Sequence, residues 1–189
     1  MNALSNETKL KIEKTIKNLK ANKMDAYYCD NKEDACNLVK TLIKKGDVIS
    51  SGGSVTLKET GVYDIITSSD YKYLDRAAEG ITPEEVEEVY YKTFSSDVYF
   101  ASSNAITENG ELYNVDGNSN RVAAILYGPK SVILVCGYNK IVKNIDEAID
   151  RVKRIAAPSN TIRLNIETPE VVCKATDHIK EMLEYVEKL

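Results

Sequence analysis

Residues 45–61 read KGDVISSGGSVTLKETG, and this stretch carries the clearest fold signal in the chain. A charged segment and Gly46 lead into the short strand signal Val48-Ile49, which runs into four small residues, Ser51, Gly52, Gly53 and Ser54. The pattern is typical of a strand that turns into a helix. In an open α/β sheet such a turn lies at the carboxyl edge of the strand, where ligands bind.

The small residues of this turn are candidate ligand-binding residues. Gly52 and Gly53 have no side chains, so backbone N–H groups are free to converge on an anion, with the hydroxyls of Ser51 and Ser54 beside them. Thr56 lies in the predicted helix N-terminus behind the loop, which favours negative charge. The alternative is a tight connection that needs glycine for its backbone alone, and a single Gly-Gly pair does not decide between the two.

Length and composition indicate one ordinary globular domain over residues 1–189. The chain has 43% hydrophobic and 29% charged residues and a net charge of −4. An acidic balance gives no electrostatic footprint for nucleic acid or an anionic membrane, so neither is an expected partner. No apolar run approaches the roughly 18 residues of a membrane span and no signal-peptide pattern is found, so we expect a cytoplasmic protein.

The cysteines and the single histidine, His178, form no metal-binding pattern. The four cysteines are scattered without a C-x-x-C pair, so no metal site is predicted, and in a reducing cytosol all four are expected as thiols: Cys29, Cys36, Cys136 and Cys173. Cys136 ends an apolar run and is expected to be a buried strand residue, because free cysteine behaves as a small hydrophobe.

Hydrophobic periodicity predicts alternating helices and strands. Helices are predicted over Asn6–Leu19, from a cap at Asp30 or Asn31 to Gly46, over Thr82–Phe94, Arg121–Tyr127, from Asn144 or Asp146 to Ala156 with Pro158 as the stop, and over Ala175–Leu189. Strands are predicted at Met24–Cys29, Val48-Ile49, Tyr63–Thr67, Asp97–Ser102, Glu111–Val115 and Ser131–Gly137, the last at the sheet's centre. This alternation indicates a three-layer α/β/α domain with a mostly parallel sheet.

Four stretches, taken in order, carry a family resemblance. They read GGSVTLKETG at 52–61, SNAITENGEL at 103–112, GNSNRVAA at 117–124 and YGPK at 127–130. Together they resemble the motifs of the LUD domain, found in LutC-type proteins linked to lactate utilisation, and the resemblance covers about residues 10–168. It implies the fold shared by sugar-phosphate isomerases, glucosamine-phosphate deaminases and CoA transferases. The chain departs from many relatives in lacking a cysteine-rich C-terminal stretch.

The motifs that carry the resemblance add further candidate site residues. Glu108, beside an Asn-Gly turn, is similar in position to the catalytic glutamate of CoA transferases and is a candidate base or nucleophile; a solvated turn carboxylate is the alternative. An arginine at a helix start opposes the helix dipole, so an anionic ligand near Arg121 would explain that residue. The remaining ligand-binding candidates in these loops are Asn104, Thr107, Asn109, Gly110, Asn118 and Asn120.

We expect Glu108 to share a pocket with the loop at 51–54. Val48-Ile49 and Val98–Phe100 both have the pattern of parallel core strands, and loops that leave the carboxyl edges of such strands gather on one side of a sheet.

Three functions fit the sequence. The family resemblance implies a protein that binds a small anionic metabolite within a lactate-oxidising system, beside iron–sulfur partner proteins. It also fits a stand-alone enzyme of acyl or sugar-phosphate chemistry with Glu108 as base, or a non-catalytic scaffold. A deep pocket lined by the glycine-containing loops at residues 51–54 and 108–110 would favour the first two functions, whereas a large exposed apolar patch would favour the scaffold. The sequence names no cofactor.

Overall fold

The computed structural model describes residues 4–164, which form two compact units. The four-stranded unit consists of residues 27–103 and 120–137, and the three-stranded unit consists of the described parts of residues 1–26, 104–119 and 138–189. Single domains also contain such units, so the expectation of one domain over 1–189 stays a prediction.

The described chain contains eight α-helices and seven strands, with a 3-10 turn at Tyr138–Lys140 and a π-helical segment at Val152–Ala156. The strands are β1 Val48–Ser51, β2 Lys72–Tyr73, β3 Val98–Ala101, β4 Ala105–Thr107, β5 Leu112–Tyr113, β6 Ser131–Leu134 and β7 Ile141–Val142. The helices are α1 Asn6–Ala21, α2 Lys32–Leu42, α3 Val55–Thr60, α4 Val62–Ile66, α5 Pro83–Thr93, α6 Asn120–Leu126, α7 Ile145–Arg151 and α8 Ala157–Leu164.

The four-stranded unit is a three-layer α/β/α arrangement, as predicted. Its sheet has the order β2-β1-β3-β6, and every neighbouring pair is parallel. Because successive strand residues point to opposite faces, Ile49 and Phe100 pack against α2, α3 and α4, whereas Tyr99 and Ala101 pack against Ala124 of α6. Helix α5 lies on the same face as α6, since Thr93 Oγ1 and Ser50 Oγ are 2.7 Å apart.

Helix starts follow the capping residues that the sequence offers. Ser54 caps α3 by accepting a hydrogen bond from the Leu57 N–H. Thr82 and Glu85 form a capping box at α5, with Pro83 in its first turn. The strand, glycine loop and helix predicted at residues 45–61 are therefore confirmed.

The three-stranded unit is built on the hairpin of β4 and β5. Its sheet has the order β5-β4-β7, with β4 and β5 antiparallel and β4 and β7 parallel. Asn18 of α1 and Asn22, the C-cap residue that follows α1, hold the hairpin turn through their side chains. Asn18 Nδ2 donates to the Glu108 carbonyl at 2.7 Å, and Asn22 Nδ2 donates to the Gly110 carbonyl at 2.9 Å.

Two predicted strands are absent from the described structure. Tyr63–Thr67 falls largely within α4, because Val62 and Ile66 are four residues apart and both are buried on one helix face. Residues 24–29 form no strand. Tyr27 and Tyr28 are both exposed, so the segment lacks a buried face that would hold it in a sheet.

Two further details differ from the prediction. Strand β6 lies at the edge of the sheet and not at its centre, and its apolar residues are half-buried. Pro158 does not stop the last described helix. The π-helical turn at Val152–Ala156 lets the chain continue, and proline then falls in the first turn of α8, where its missing N–H costs little.

The predicted helix Ala175–Leu189, together with Cys173 and His178, lies outside the described residues. Within residues 4–164 no helix is long and apolar enough to cross a membrane.

Replacing Gly110 by alanine should destabilise the protein more than the same change at Gly46. Both glycines have positive φ, +83° and +89°, so both variants carry the backbone strain of roughly 1–2 kcal/mol. A Cβ at Gly110 would also lie 2.6 Å from the Asn18 and Leu19 backbone, whereas nothing lies within 4 Å at Gly46. Urea unfolding should show at least about 1 kcal/mol of additional loss for Gly110→Ala. Equal losses would mean that α1 does not constrain the hairpin turn.

Candidate functional site

The carboxyl edge between β1 and β3 is the topological switch point of the four-stranded sheet, the place where the strand order reverses. The connection after β1 runs through α3 and α4 on one face, and the chain that follows β3 returns to this unit through α6 on the other face. Neighbouring parallel strands with connections on opposite faces leave a crevice at their carboxyl ends, and open α/β sheets bind ligands there. Ser51 and Gly52 lie at this edge, as predicted.

Gly52 serves close packing at this edge. Its N–H donates to the Phe100 carbonyl at 2.9 Å, so that amide is used by the sheet and does not point at a ligand. A Cβ at this position would lie 2.8 Å from Tyr99 Oη and 3.2 Å from Arg121 Cδ. The structural explanation therefore accounts for Gly52, whereas the neighbouring Gly53 is exposed and Ser54 caps α3.

Arg121 reaches back from the start of α6 to the end of β3. Its Nη1 donates to the Ser102 carbonyl at 3.0 Å, which gives this arginine a role that the sequence could not show. Cys136 lies beside the same strand end. It is half-buried and just beyond β6, not a buried strand residue, and its Sγ accepts a hydrogen bond from the Ser103 N–H at 3.3 Å.

A small cavity opens on the α5 and α6 face of the sheet, next to the switch point. Its volume is about 10 Å³, which is the space that one water-sized group needs. Its lining is polar and aromatic: Ser50, Ser51, Arg76, Tyr90, Thr93, Tyr99 and Asn120. Two of the predicted ligand-binding residues, Ser51 and Asn120, are thus brought together.

Arg76 supplies the positive charge of the cavity. It is half-buried, and its Nη1 lies 3.4 Å from Tyr90 Oη while its Cζ lies 5.7 Å from the centre of the Tyr90 ring. Across residues 4–164, Arg76 forms no ion pair. A half-buried guanidinium that contacts an aromatic ring and forms no ion pair within the described residues is suited to hold an anionic group.

The hydroxyls around the cavity are engaged with one another. Ser50 Oγ lies 2.7 Å from Thr93 Oγ1, and Ser51 Oγ lies 2.7 Å from Tyr73 Oη. Burial raises the pKa of Tyr73 to about 12, although the hydrogen bond with Ser51 acts in the opposite direction. Tyr73 is therefore a neutral phenol at physiological pH.

Glu108 is tied to α1 within the three-stranded unit. Its carboxylate lies 2.9 Å from Lys14 Nζ and 4.0 Å from Lys11 Nζ, and its side chain is 18% exposed. Its backbone N–H donates to the Val142 carbonyl at 2.8 Å. These contacts give Glu108 a structural role, and its catalytic role stays a prediction.

Other candidates from the second and third motifs also have structural partners in that unit. Asn104 joins β4 to the segment after β5, since its Oδ1 accepts from the Val115 N–H at 3.0 Å. Thr107 is fully buried and donates to the Glu111 carboxylate. Gly110 is buried beneath α1, whereas Asn109 and Asn118 are exposed.

The shared pocket of Glu108 and residues 51–54 remains a prediction. Its premise is confirmed, because β1 and β3 are neighbouring parallel strands. However, the segment that leaves β3 is Ser102–Asn104, and Glu108 follows β4, which belongs to the other sheet and the other unit. The topological argument for the shared pocket therefore does not apply to Glu108.

The sequence did not reveal several residues of the cavity. Arg76 lies in a segment, residues 68–79, that has no hydrophobic periodicity, and nothing in the sequence distinguishes Tyr99 from an ordinary core tyrosine. The one available signal was the spacing of Tyr90 and Thr93, which places them on one face of α5.

Comparisons with known proteins identify one family. The family model described as LUD domain matches residues 12–176. Among curated proteins, a cysteine–tRNA ligase of Treponema denticola is 42% identical over 59 residues, a match that covers 28% of this chain and 12% of the ligase. The chain therefore spans only a small part of that enzyme, and the match shows no shared activity. No solved structure matches the chain.

The stabilising effect of Tyr73 should disappear at alkaline pH. The pKa of Tyr73 in the folded state is about 12, above the ordinary value of about 10. The neutral phenol therefore stabilises the folded state fully below about pH 10, and this stabilisation is lost as the pH rises through 12. Urea unfolding at stepped pH should show wild type losing stability relative to Tyr73→Phe in that interval. The exposed Tyr91, changed to phenylalanine, is the control. Parallel curves for wild type and Tyr73→Phe would contradict the burial argument.

Gly52→Ala should destabilise the protein by roughly 1–3 kcal/mol, because the new methyl group meets Tyr99 Oη and Arg121. The same change in a Tyr99→Phe background should cost less, since the nearest of these atoms is then absent. A double-mutant cycle measured by chemical unfolding isolates this coupling. Additive effects would show that the methyl group is accommodated without displacing Tyr99.

Proposed function

Because the chain belongs to the LUD domain family, which is associated with lactate utilisation proteins, we propose that it binds a small anionic metabolite at the carboxyl edge of its four-stranded sheet. Arg76 is the observation that carries this proposal. The Arg76 side chain is half-buried and lines the cavity beside the switch point, and its charge has no acidic partner within the described residues.

An anionic ligand would complete the surroundings of Arg76. Removing a guanidinium from water costs free energy, and the Tyr90 ring offsets only part of that cost. A ligand anion would supply charge-assisted hydrogen bonds, which contribute roughly 1.5–3 kcal/mol. The neighbouring hydroxyls and Asn120 add polar groups that orient a small polar molecule.

The finer part of the proposal is a LutC-type role. The chain would then act in the cytoplasm within a system that oxidises lactate to pyruvate, beside iron–sulfur partner proteins. The family membership and the positive charge of Arg76 in the cavity support this role, and the motif resemblance at residues 52–61, 103–112, 117–124 and 127–130 points in the same direction.

A thermal-shift screen tests the proposal with lactate, pyruvate, sugar phosphates, CoA thioesters and nucleotides. A ligand at about 100 times its dissociation constant adds roughly 2.7 kcal/mol to the free energy of unfolding, which raises the melting temperature. We expect an anionic compound to give the largest shift. A flat response to every anion, with a shift on addition of a protein partner, would favour the scaffold function.

Arg76→Gln should reduce or abolish the shift given by the best anion. Loss of a charge-assisted hydrogen bond of the size given above weakens binding by about 10- to 100-fold. Arg154→Gln is the matched control, because Arg154 is exposed and forms an ion pair with Asp150, one helical turn earlier in the chain. Equal ligand affinity in wild type and Arg76→Gln would place the anion elsewhere.

A further inference from the structure

We infer that the anionic group bound at this cavity is a single carboxylate, and that Arg76, positioned by Tyr90, selects carboxylates over phosphates. The inference rests on the proposed function and deepens it, since the family and the location of the cavity do not distinguish between the two groups.

The first reason is charge. Among the described residues that line the cavity, Arg76 alone carries a charge. A carboxylate carries one negative charge, which this guanidinium balances. A phosphate monoester carries about −1.5 to −2 at neutral pH and would leave negative charge uncompensated in a partly desolvated space, which is costly.

The second reason is the supply of hydrogen-bond donors. Thr93 Oγ1 donates to the Val89 carbonyl at 2.8 Å, so in its 2.7 Å contact with Ser50 the serine must be the donor. Ser50 therefore has no proton left for a ligand. In the contact between Ser51 and Tyr73 one of the two hydroxyl protons is likewise used.

Beside the Asn120 amide and the tyrosine hydroxyls, Arg76 is the lining residue with the most N–H donors. A guanidinium presents parallel N–H groups in one plane, which match both oxygens of a carboxylate but only two of the oxygens of a phosphate. A phosphate group has three terminal oxygens in a tetrahedral arrangement and needs donors from more directions. Two of the serine and threonine hydroxyls that could have supplied them, those of Ser50 and Thr93, already donate to protein oxygens.

The third reason is size and orientation. The cavity volume of about 10 Å³ admits only the tip of a ligand, so the carboxylate, as the smaller of the two groups, fits with less rearrangement of the lining. Tyr90 keeps the guanidinium in place from one side, through its ring and its hydroxyl. Because α5 begins with a capping box, Tyr90 is carried by a well-defined helix and is a positioning residue for Arg76.

Acetate and methylphosphonate test the inference, since both carry one methyl group and differ only in the anionic group. Dissociation constants are measured by NMR titration of the full chain, at a pH where methylphosphonate is a dianion. We expect acetate to bind at least about tenfold more tightly. Two variants test the roles of the side chains. Arg76→Lys keeps the charge but removes the planar pair of donors, so it should weaken acetate binding several-fold and reduce the preference for acetate over methylphosphonate.

Tyr90→Leu should weaken acetate binding while leaving the thermal stability of the protein close to that of Tyr90→Phe.

The outcomes separate this inference from the proposed function. Methylphosphonate binding as tightly as acetate, with both lost in Arg76→Gln, overturns the carboxylate selectivity and leaves anion binding intact. Acetate binding unchanged in Arg76→Gln overturns the role of Arg76. No binding of either probe, together with a flat metabolite screen, overturns the inference and the proposed function together.

Discussion

The parallel pairing of β1 and β3 is the constraint on which the four-stranded unit depends. Ile49, Ser50 and Ser51 pair with Val98, Tyr99 and Phe100, almost fifty residues further along the chain. Asp97 lies at the amino end of this strand pair and forms hydrogen bonds to β1 and to the residue that precedes β6. Its carboxylate accepts from the Val48 N–H at 2.9 Å and from Lys130 Nζ at 2.7 Å, and these two contacts lower its pKa. Asp97 thereby links β1, β3 and the start of β6.

The same pairing fixes the cavity at the other end of the strands. Ser50 and Tyr99 are neighbours across β1 and β3 and face the same side of the sheet, so their side chains define one wall of the cavity. Within residues 4–164 no buried side-chain nitrogen or oxygen lacks a hydrogen-bond partner. The polar wall is therefore already organised, and a ligand would not have to order it on binding.

Local patterns predicted much of this structure, whereas the cavity depends on contacts that no local pattern contains. The strand and helix flanking the glycine loop, the capping box at Thr82 and the α/β class follow from short-range rules and are confirmed. The helix at Val62–Ile66 was missed because five residues rich in aromatic and β-branched side chains have a strand-like composition. Arg76 and Tyr90 meet only because the segment after β2 lies along α5, and nothing within either segment shows that contact.

Gly52, from the loop that suggested an anion cradle, and Gly110, a further candidate ligand-binding residue, share a different physical explanation. At Gly52 the missing side chain admits Tyr99 and Arg121, and at Gly110 it admits the backbone of α1. In both loops glycine allows another part of the same unit to approach closely, and the Gly52 amide is used within the sheet. If an anion binds at this edge as proposed, side chains would contribute more to its recognition than the Gly52 amide. Arginine side chains keep their charge throughout the physiological pH range, so the ionisation of a bound ligand would set the pH dependence of binding.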